Sequence, residues 1–173
     1  MEFNFSFRTL DSFEDINKVV SFIHTRPLDY IGYSDWVEKV RYQLGHAEKM
    51  AILAFSNRDL VGDLIYQHHQ SNLPFLEIKN LRTEDFFARR RFAEFMVKQA
   101  ERIAKEEGYA GVIVDVRSEN MPIVNLFQRR GYREVARMPL YDKKAEDVVF
   151  VKEIGVKNRI WLPSDKKILE NLH

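Results

Sequence analysis

The 173-residue chain has no cysteine, only 7 glycines and 5 prolines, and almost no excess of either charge, with 27 Lys and Arg against 26 Asp and Glu. Without cysteine there is no disulfide framework, no thiolate metal site and no cysteine nucleophile. So little glycine and proline, beside 45% hydrophobic and 31% charged residues, is the mix of a single globular domain able to bury a sizeable core. No apolar run approaches the ~20 residues that a membrane span needs. The polar, acidic start MEFNFSFRTLDSFED is not built as a signal peptide. A soluble cytoplasmic protein is the expectation. Repeats, low-complexity tracts and linker-like stretches are also missing, which predicts one domain over 1–155 and a short extension over 156–173.

The small net charge of +1 hides an asymmetry. Residues 1–85 hold 9 basic against 13 acidic side chains, and residues 86–173 hold 18 against 13. The excess surrounds Arg89, Arg90 and Arg91, which fits an anionic ligand on that half and equally fits scattered solvated arginines.

The apolar pattern predicts the elements. Phe3, Phe5 and Phe7 alternate as a strand does. Phe13, Ile16, Val19, Val20 and Ile23 recur at helical spacing behind Ser12 or Asp11 as the cap, and Pro27 ends the run. SDWVEKVRYQL reads as a helix capped by Ser34 and closed by Gly45. MAILAF and LVGDLIYQHH are strands joined through Ser56, Asn57, Arg58 and Asp59, and FLEIKNLRT is a fourth. A long helix from about Ala88 to Glu107 is expected to bury Phe92, Phe95, Met96, Ala100 and Ile103 and to stop at Gly108. GVIVDVR is apolar enough for a strand covered on both faces. NMPIVNLFQRR is a helix opened by Pro122 and stopped by Gly131, and YREVARM and EDVVFVKEI are the last strands. The order β-α-α-β-β-β-α-β-α-β-β predicts a mixed sheet with helices on both sides. Its centre is a βαβ crossover whose strands, 75–82 and 111–116, lie parallel and adjacent.

The adjacent His68 and His69 point to opposite faces of a strand and make a poor metal pair. Surface placement is expected, the alternative being that one lines an acceptor site. Asn120 stands where it can cap the helix opened by Pro122. A helix start can hold an anion through its unpaired N–H groups, and arginine there opposes the helix dipole by about 0.3–1 kcal/mol unless an anion binds.

Element order and local motifs together resemble the GNAT superfamily of acyl-CoA N-acyltransferases over roughly residues 2–153. ARRRFA, Ala88 to Ala93, stands at the family's phosphate-loop pattern Gln/Arg-x-x-Gly-x-Gly/Ala, with Arg91 at the middle glycine. NMPIVNLFQRRGY matches the fourth-helix pattern at Asn120, Leu126, Gly131 and Tyr132, with Phe127 at the usual tyrosine. The resemblance implies a mostly antiparallel α/β sheet and acetyl-CoA as cosubstrate. It implies donor contacts from Arg89, Arg90, Arg91, Phe92, Ala93 and Asn120, and an oxyanion amide at Asn80 or Leu81.

Glu77, eleven residues before Ala88, falls where one branch of the family places its base. Burial between Leu76 and Ile78 would raise its pKa, although the same alternation also fits a salt bridge. Phe127 has no proton to give the departing thiolate; Tyr141, and less readily Tyr132, are candidates for the acid, the alternatives being that they only pack and that coenzyme A leaves without a dedicated acid. Asp29, Tyr30 and Tyr33 are candidates for an amine acceptor through charge and cation–π contact, or for ordinary loop packing.

The expected reaction is acetyl transfer from acetyl-CoA to a primary amine by direct attack. The alternative is an inactive binding module with this fold. Nucleic-acid contact through Arg89–Arg91, Arg129, Arg130 and Trp161 is open but not favoured, and a homodimer is compatible.

Overall fold

The computed structural model describes residues 4–27, 32–69, 74–88, 90–141 and 143–155. The extension expected over 156–173, together with Arg89, Asp29, Tyr30 and Trp161, lies outside the described residues. The elements follow the expected order: β1 (Phe5–Thr9), α1 (Phe13–His24), α2 (Tyr33–Gly45), β2 (Met50–Ser56), β3 (Asp59–His68), β4 (Phe75–Thr83), a 3-10 turn (Asp85–Phe87), α3 (Phe92–Glu106), β5 (Gly111–Arg117), α4 (Met121–Arg129), β6 (Arg133–Met138) and β7 (Asp147–Glu153). One seven-stranded sheet runs β1-β2-β3-β4-β5-β7-β6. The crossover pair β4 and β5 is parallel, while β1–β2, β2–β3, β5–β7 and β6–β7 are antiparallel. Among the described residues no helix is long and apolar enough to cross a membrane.

The chain divides into two compact units. The first holds the residues up to Gln67 with Asn80–Gln99, and the second holds His68–Lys79 with the residues from Ala100 onward. In the first, Ser12 caps α1 by accepting from the Asp15 N–H at 3.2 Å. The apolar stripe of α1 (Ile16, Val19, Val20, Ile23) and that of α2 (Val37, Val40, Leu44) bury against Ala51, Leu53, Phe55 and Ile65 of the sheet. Each such side chain removed from water contributes about 1.5–3 kcal/mol. Met96 of α3 lies against the opposite face, 3.1 Å from where a Cβ on Gly62 would stand. Helices therefore cover both faces of this part of the sheet.

In the second unit Phe75, Ile113, Val149 and Val151 form a buried cluster on one face. Phe127 is fully buried, edge-on to Tyr132 at 4.9 Å and stacked with Phe150 at 6.1 Å.

Three local expectations need correction. The second helix starts at Tyr33 behind Gly32, whose φ of 80° makes it the N-cap, so Ser34 lies inside the helix. The long helix starts at Phe92 and not at Ala88, because Arg91 has a φ of 63° and cannot be helical. Phe95 is 49% exposed instead of buried, with its ring 5.6 Å from Phe7 of the edge strand β1.

Candidate active site

Glu77 and Lys79 are two residues apart on β4 and share a face. Glu77 pairs with Ile113 in the β4–β5 register, so Asp115, two residues further along β5, shares it too. Tyr141, from the connection between β6 and β7, completes the group. The Lys79 ammonium lies 3.0 Å from Glu77 Oε1 and 3.9 Å from Asp115 Oδ1, and donates to the Tyr141 hydroxyl at 3.2 Å. Its Nζ is also 5.8 Å from the centre of the Tyr141 ring.

Burial works against a charged Lys79, but Asp115, Tyr141 and Glu77 outweigh it and raise the ammonium pKa. The Asp115 carboxyl is raised, chiefly by burial and further by Glu77 and Asp147. Lys79 and the neighbouring Tyr141 hydroxyl oppose the rise. Burial and the charge of Asp115 push the Tyr141 phenol up, which keeps its proton in place at neutral pH.

The structure thus brings the two residues named for chemistry, Glu77 and Tyr141, into one cluster, each in contact with Lys79. Glu77 is buried, as a base in an apolar strand would be, and is also ion-paired. His69 overturns the expectation of a surface histidine. It is fully buried, with Nδ1 3.4 Å from Glu77 Oε2 and neither ring nitrogen hydrogen-bonded among the described residues. Its backbone N–H donates to the Phe75 carbonyl at 2.9 Å. His68 stays at the surface, its ring 5.6 Å from that of Tyr109.

Asp115 and Lys79 were not singled out for chemistry by sequence reasoning, and His69 was considered only as one of two histidines that could line an acceptor site. The signal for Asp115 was one acid inside the otherwise apolar GVIVDV. That for Lys79 was its two-residue spacing from Glu77.

In the first unit, Arg91 holds the motif's glycine position in a glycine-like, left-handed backbone, with a φ of 63°. Its side chain is 79% exposed and reaches toward Glu94 at 4.0 Å, so it does not fill the turn. The Arg91 carbonyl accepts the Phe95 N–H at 2.9 Å, leaving the first-turn amides of Phe92 and Ala93 without partners inside the helix. The Arg90 guanidinium stacks over Phe86 at 4.6 Å.

A non-glycine residue in this conformation costs about 1–2 kcal/mol. Arg91→Gly is therefore expected to raise stability by about 1 kcal/mol and to leave acetyl-CoA affinity within about twofold. Urea unfolding and calorimetric titration check both parts, and a large loss of affinity would make the arginine side chain a ligand.

Asn80 is mostly buried, and its side chain is engaged. Its amide donates to Asp63 Oδ2 at 2.5 Å, and its oxygen accepts from Arg82 Nε at 2.9 Å. Arg82 Nη1 donates to the Ile23 carbonyl at 3.2 Å and the Tyr33 hydroxyl at 2.7 Å, and also to the Arg26 carbonyl. Tyr33, a candidate for the acceptor amine, is instead buried against this arginine, its hydroxyl donating to the Ile23 carbonyl at 2.6 Å. Leu81 is half-buried on β4. Asn120 sits at the start of α4 as expected, but its side chain makes no capping hydrogen bond. Its exposed amide is therefore not spent on the helix. Arg130, a candidate for nucleic acid, is bound to Glu101 at 2.5 and 3.0 Å.

A sequence profile for the acetyltransferase (GNAT) family matches residues 11–132. The chain belongs to the GNAT acetyltransferase family. No curated protein sequence matches it. Solved GNAT-fold structures superpose over most of the chain at low identity. The ribosomal-protein-S18-alanine N-acetyltransferase from Escherichia coli matches at 14% identity and a TM-score of 0.73, covering 92% of this chain and 100% of that one. Arabidopsis thaliana NAA60 in complex with acetyl-CoA matches at 16% and 0.71, covering 87% and 99%. A GNAT-family acetyltransferase from Streptococcus pneumoniae matches at 15% and 0.69, covering 88% and 100%. At these identities the likeness establishes the fold. Within the family pattern, the helix position that usually carries a tyrosine is here the fully buried Phe127, a core residue with no proton to give.

Proposed function

We propose that this GNAT protein transfers an acetyl group from acetyl-CoA to a primary amine by direct attack. The observation that carries the reading is the left-handed backbone of Arg91, with a φ of 63°, a conformation that favours glycine, at the position where the family pattern has its glycine. In this reading the amides of Phe92 and Ala93, with Arg89 and Arg90, hold the donor's pyrophosphate. Asn120 contacts its pantetheine arm, and an Asn80 or Leu81 amide receives the oxyanion. Tyr141 supplies the thiolate's proton, since Phe127 has none. The base is a carboxylate of the Lys79 cluster, either Glu77 from its place in the family pattern or Asp115 from its geometry.

The first experiment is calorimetric titration with acetyl-CoA, followed by detection of free thiol with a panel of primary amines. Binding near ~10 µM, about −7 kcal/mol, together with amine-dependent thiol release, supports the reading. Absence of binding at millimolar donor would overturn it in favour of an inactive module. Tyr141→Phe is expected to lower kcat about 100-fold with acetyl-CoA affinity unchanged. An unchanged kcat would remove Tyr141 from the acid role.

A further inference from the structure

We propose that Arg82 is a two-position latch on the α1–α2 connection: it grips the end of α1 and Tyr33 while Asp63 is neutral, and turns to Asp63 when that carboxyl loses its proton. The inference is independent of the acetyl-transfer reading above.

The Arg82 donors are used unevenly. Nε donates to Asn80 Oδ1 at 2.9 Å. Nη1 carries two hydrogens and faces three oxygens, the Ile23 carbonyl at 3.2 Å, the Tyr33 hydroxyl at 2.7 Å and the Arg26 carbonyl. Nη2 is buried and has no partner among the described residues. One arm of the guanidinium is crowded and the other is idle.

Asp63 is the complementary case. It is fully buried, and Oδ2 accepts from the Asn80 amide at 2.5 Å while Oδ1 has no partner among the described residues. Asn80 therefore joins the two side chains, donating to the carboxyl and accepting from the guanidinium, with an idle acceptor on one side of it and an idle donor on the other.

The other groups facing Asp63 are engaged elsewhere. Leu53, opposite it on β2, is apolar. Arg26, beyond the end of α1, is bound to Glu84 at 2.6 Å and lies over the Phe22 ring at 4.0 Å. Burial raises the Tyr33 phenol, which keeps its proton and donates it to the Ile23 carbonyl at 2.6 Å. Arg82 is the cation left for Asp63.

Protonation decides which grip is better. Burial holds the Asp63 carboxyl up at about 7, so below that pH the group is neutral in the fold and makes little demand on Arg82. Above it the charge is buried with one oxygen empty, and a buried charge without a partner is strongly disfavoured. Turning the guanidinium about its Asn80 contact brings Nη2 toward Oδ1 and draws Nη1 away from the α1 carbonyls. Nη1 gives up little, because it faces one more acceptor than it has hydrogens. Arg26 and Tyr33, on either side of the α1–α2 connection, lose a shared anchor, so the connection is held at low pH and loosened as Asp63 ionises.

Trp36, stacked on Tyr33 at 5.6 Å, is the reporter. It is read by fluorescence across about pH 5–9 in the full chain carrying Trp161→Phe, which removes the other of the two tryptophans. Its emission is expected to change with a one-proton midpoint at about 7, where side-chain carbon NMR finds a carboxyl titrating. The Arg26 N–H, which donates to the Ile23 carbonyl at 3.2 Å, is expected to exchange about tenfold faster at high pH after correction for hydroxide catalysis. Asp63→Asn, which cannot ionise, is expected to hold the low-pH emission throughout. Arg82→Lys, with no second arm to offer, is expected to lose the Trp36 change while the carboxyl still titrates. In the Trp161→Phe protein itself, a carboxyl titrating beneath an unchanging Trp36 overturns the proposal and makes the empty oxygen the seat of a buried water. A Trp36 transition that persists in Asp63→Asn, or no carboxyl titrating between about pH 5 and 9, overturns it as well.

Discussion

Gly111→Ala is expected to destabilise the protein by about 3 kcal/mol or more, although the same change in a strand ordinarily helps by restricting the unfolded chain. Space decides the sign. A Cβ at position 111 would stand 2.5 Å from the Lys152 carbonyl oxygen and 2.5 Å from Cε1 of Phe75. Neither neighbour can yield cheaply. Gly111 opens β5, in register with Phe75 of β4 on one side and Glu153 of β7 on the other, so moving the Lys152 carbonyl distorts the β5–β7 ladder. Phe75 is buried in the cluster with Ile113, Val149 and Val151, and turning its ring displaces that packing.

Gly62 is the internal comparison. A Cβ there meets the Arg82 carbonyl oxygen at 3.0 Å and the end of the Met96 side chain at 3.1 Å, contacts that a small shift and a flexible thioether absorb more easily. Urea midpoints are expected to fall far more for Gly111→Ala than for Gly62→Ala. Equal midpoints would mean the β4–β5–β7 packing is looser than these distances state.

The element order was legible in the sequence because the apolar periodicities are strong and the punctuation agrees with them. Ser12, Gly108 with its φ of 78° and Gly131 with its φ of 80° all stand where the pattern stops or starts a helix. What was not legible depended on partners far along the chain. Ser34 has the composition of a cap, yet Gly32 takes that role through a left-handed backbone. Phe95 has the spacing of a core residue, yet the helix offers it to an edge strand.

The chemistry followed the same division. Spacing placed Glu77 on a strand that buries it, but Lys79, Asp115 and Tyr141 meet only through the β4–β5 register and a turn 62 residues from Lys79. The sequence shows an arginine at the pattern's glycine position but not its backbone conformation. In three dimensions its backbone is left-handed, as glycine's often is, and its side chain is exposed beside Glu94.

Asp63 is expected to make the protein less stable as pH rises between about 4 and 7, and Asp63→Asn is expected to remove that part of the slope. Asp63 is fully buried, with Oδ2 accepting from Asn80 and Oδ1 without a partner among the described residues. Burial pushes its carboxyl up to about 7, against the pull of Arg82, Asn80 and Arg26. In the unfolded chain the same group titrates near ~3.9. Between those values the folded state holds the proton more tightly than the unfolded one, so each rise in pH favours unfolding until Asp63 ionises in the fold as well. The largest loss this shift allows is about 4 kcal/mol.

Asp15 works in the opposite sense and in a different window. Arg8 holds its carboxyl well below the usual range through contacts of 2.5 and 2.6 Å, so its contribution is present above ~4 and lost only as pH falls further. The two groups can therefore be read separately. The measurement is the difference in unfolding free energy between wild type and Asp63→Asn at successive pH values. The variant should gain on the wild type steadily from about pH 4 to 7 and then hold its advantage. A difference that does not change with pH would mean that Asp63 is ionised throughout, with its charge matched inside the fold by Arg82.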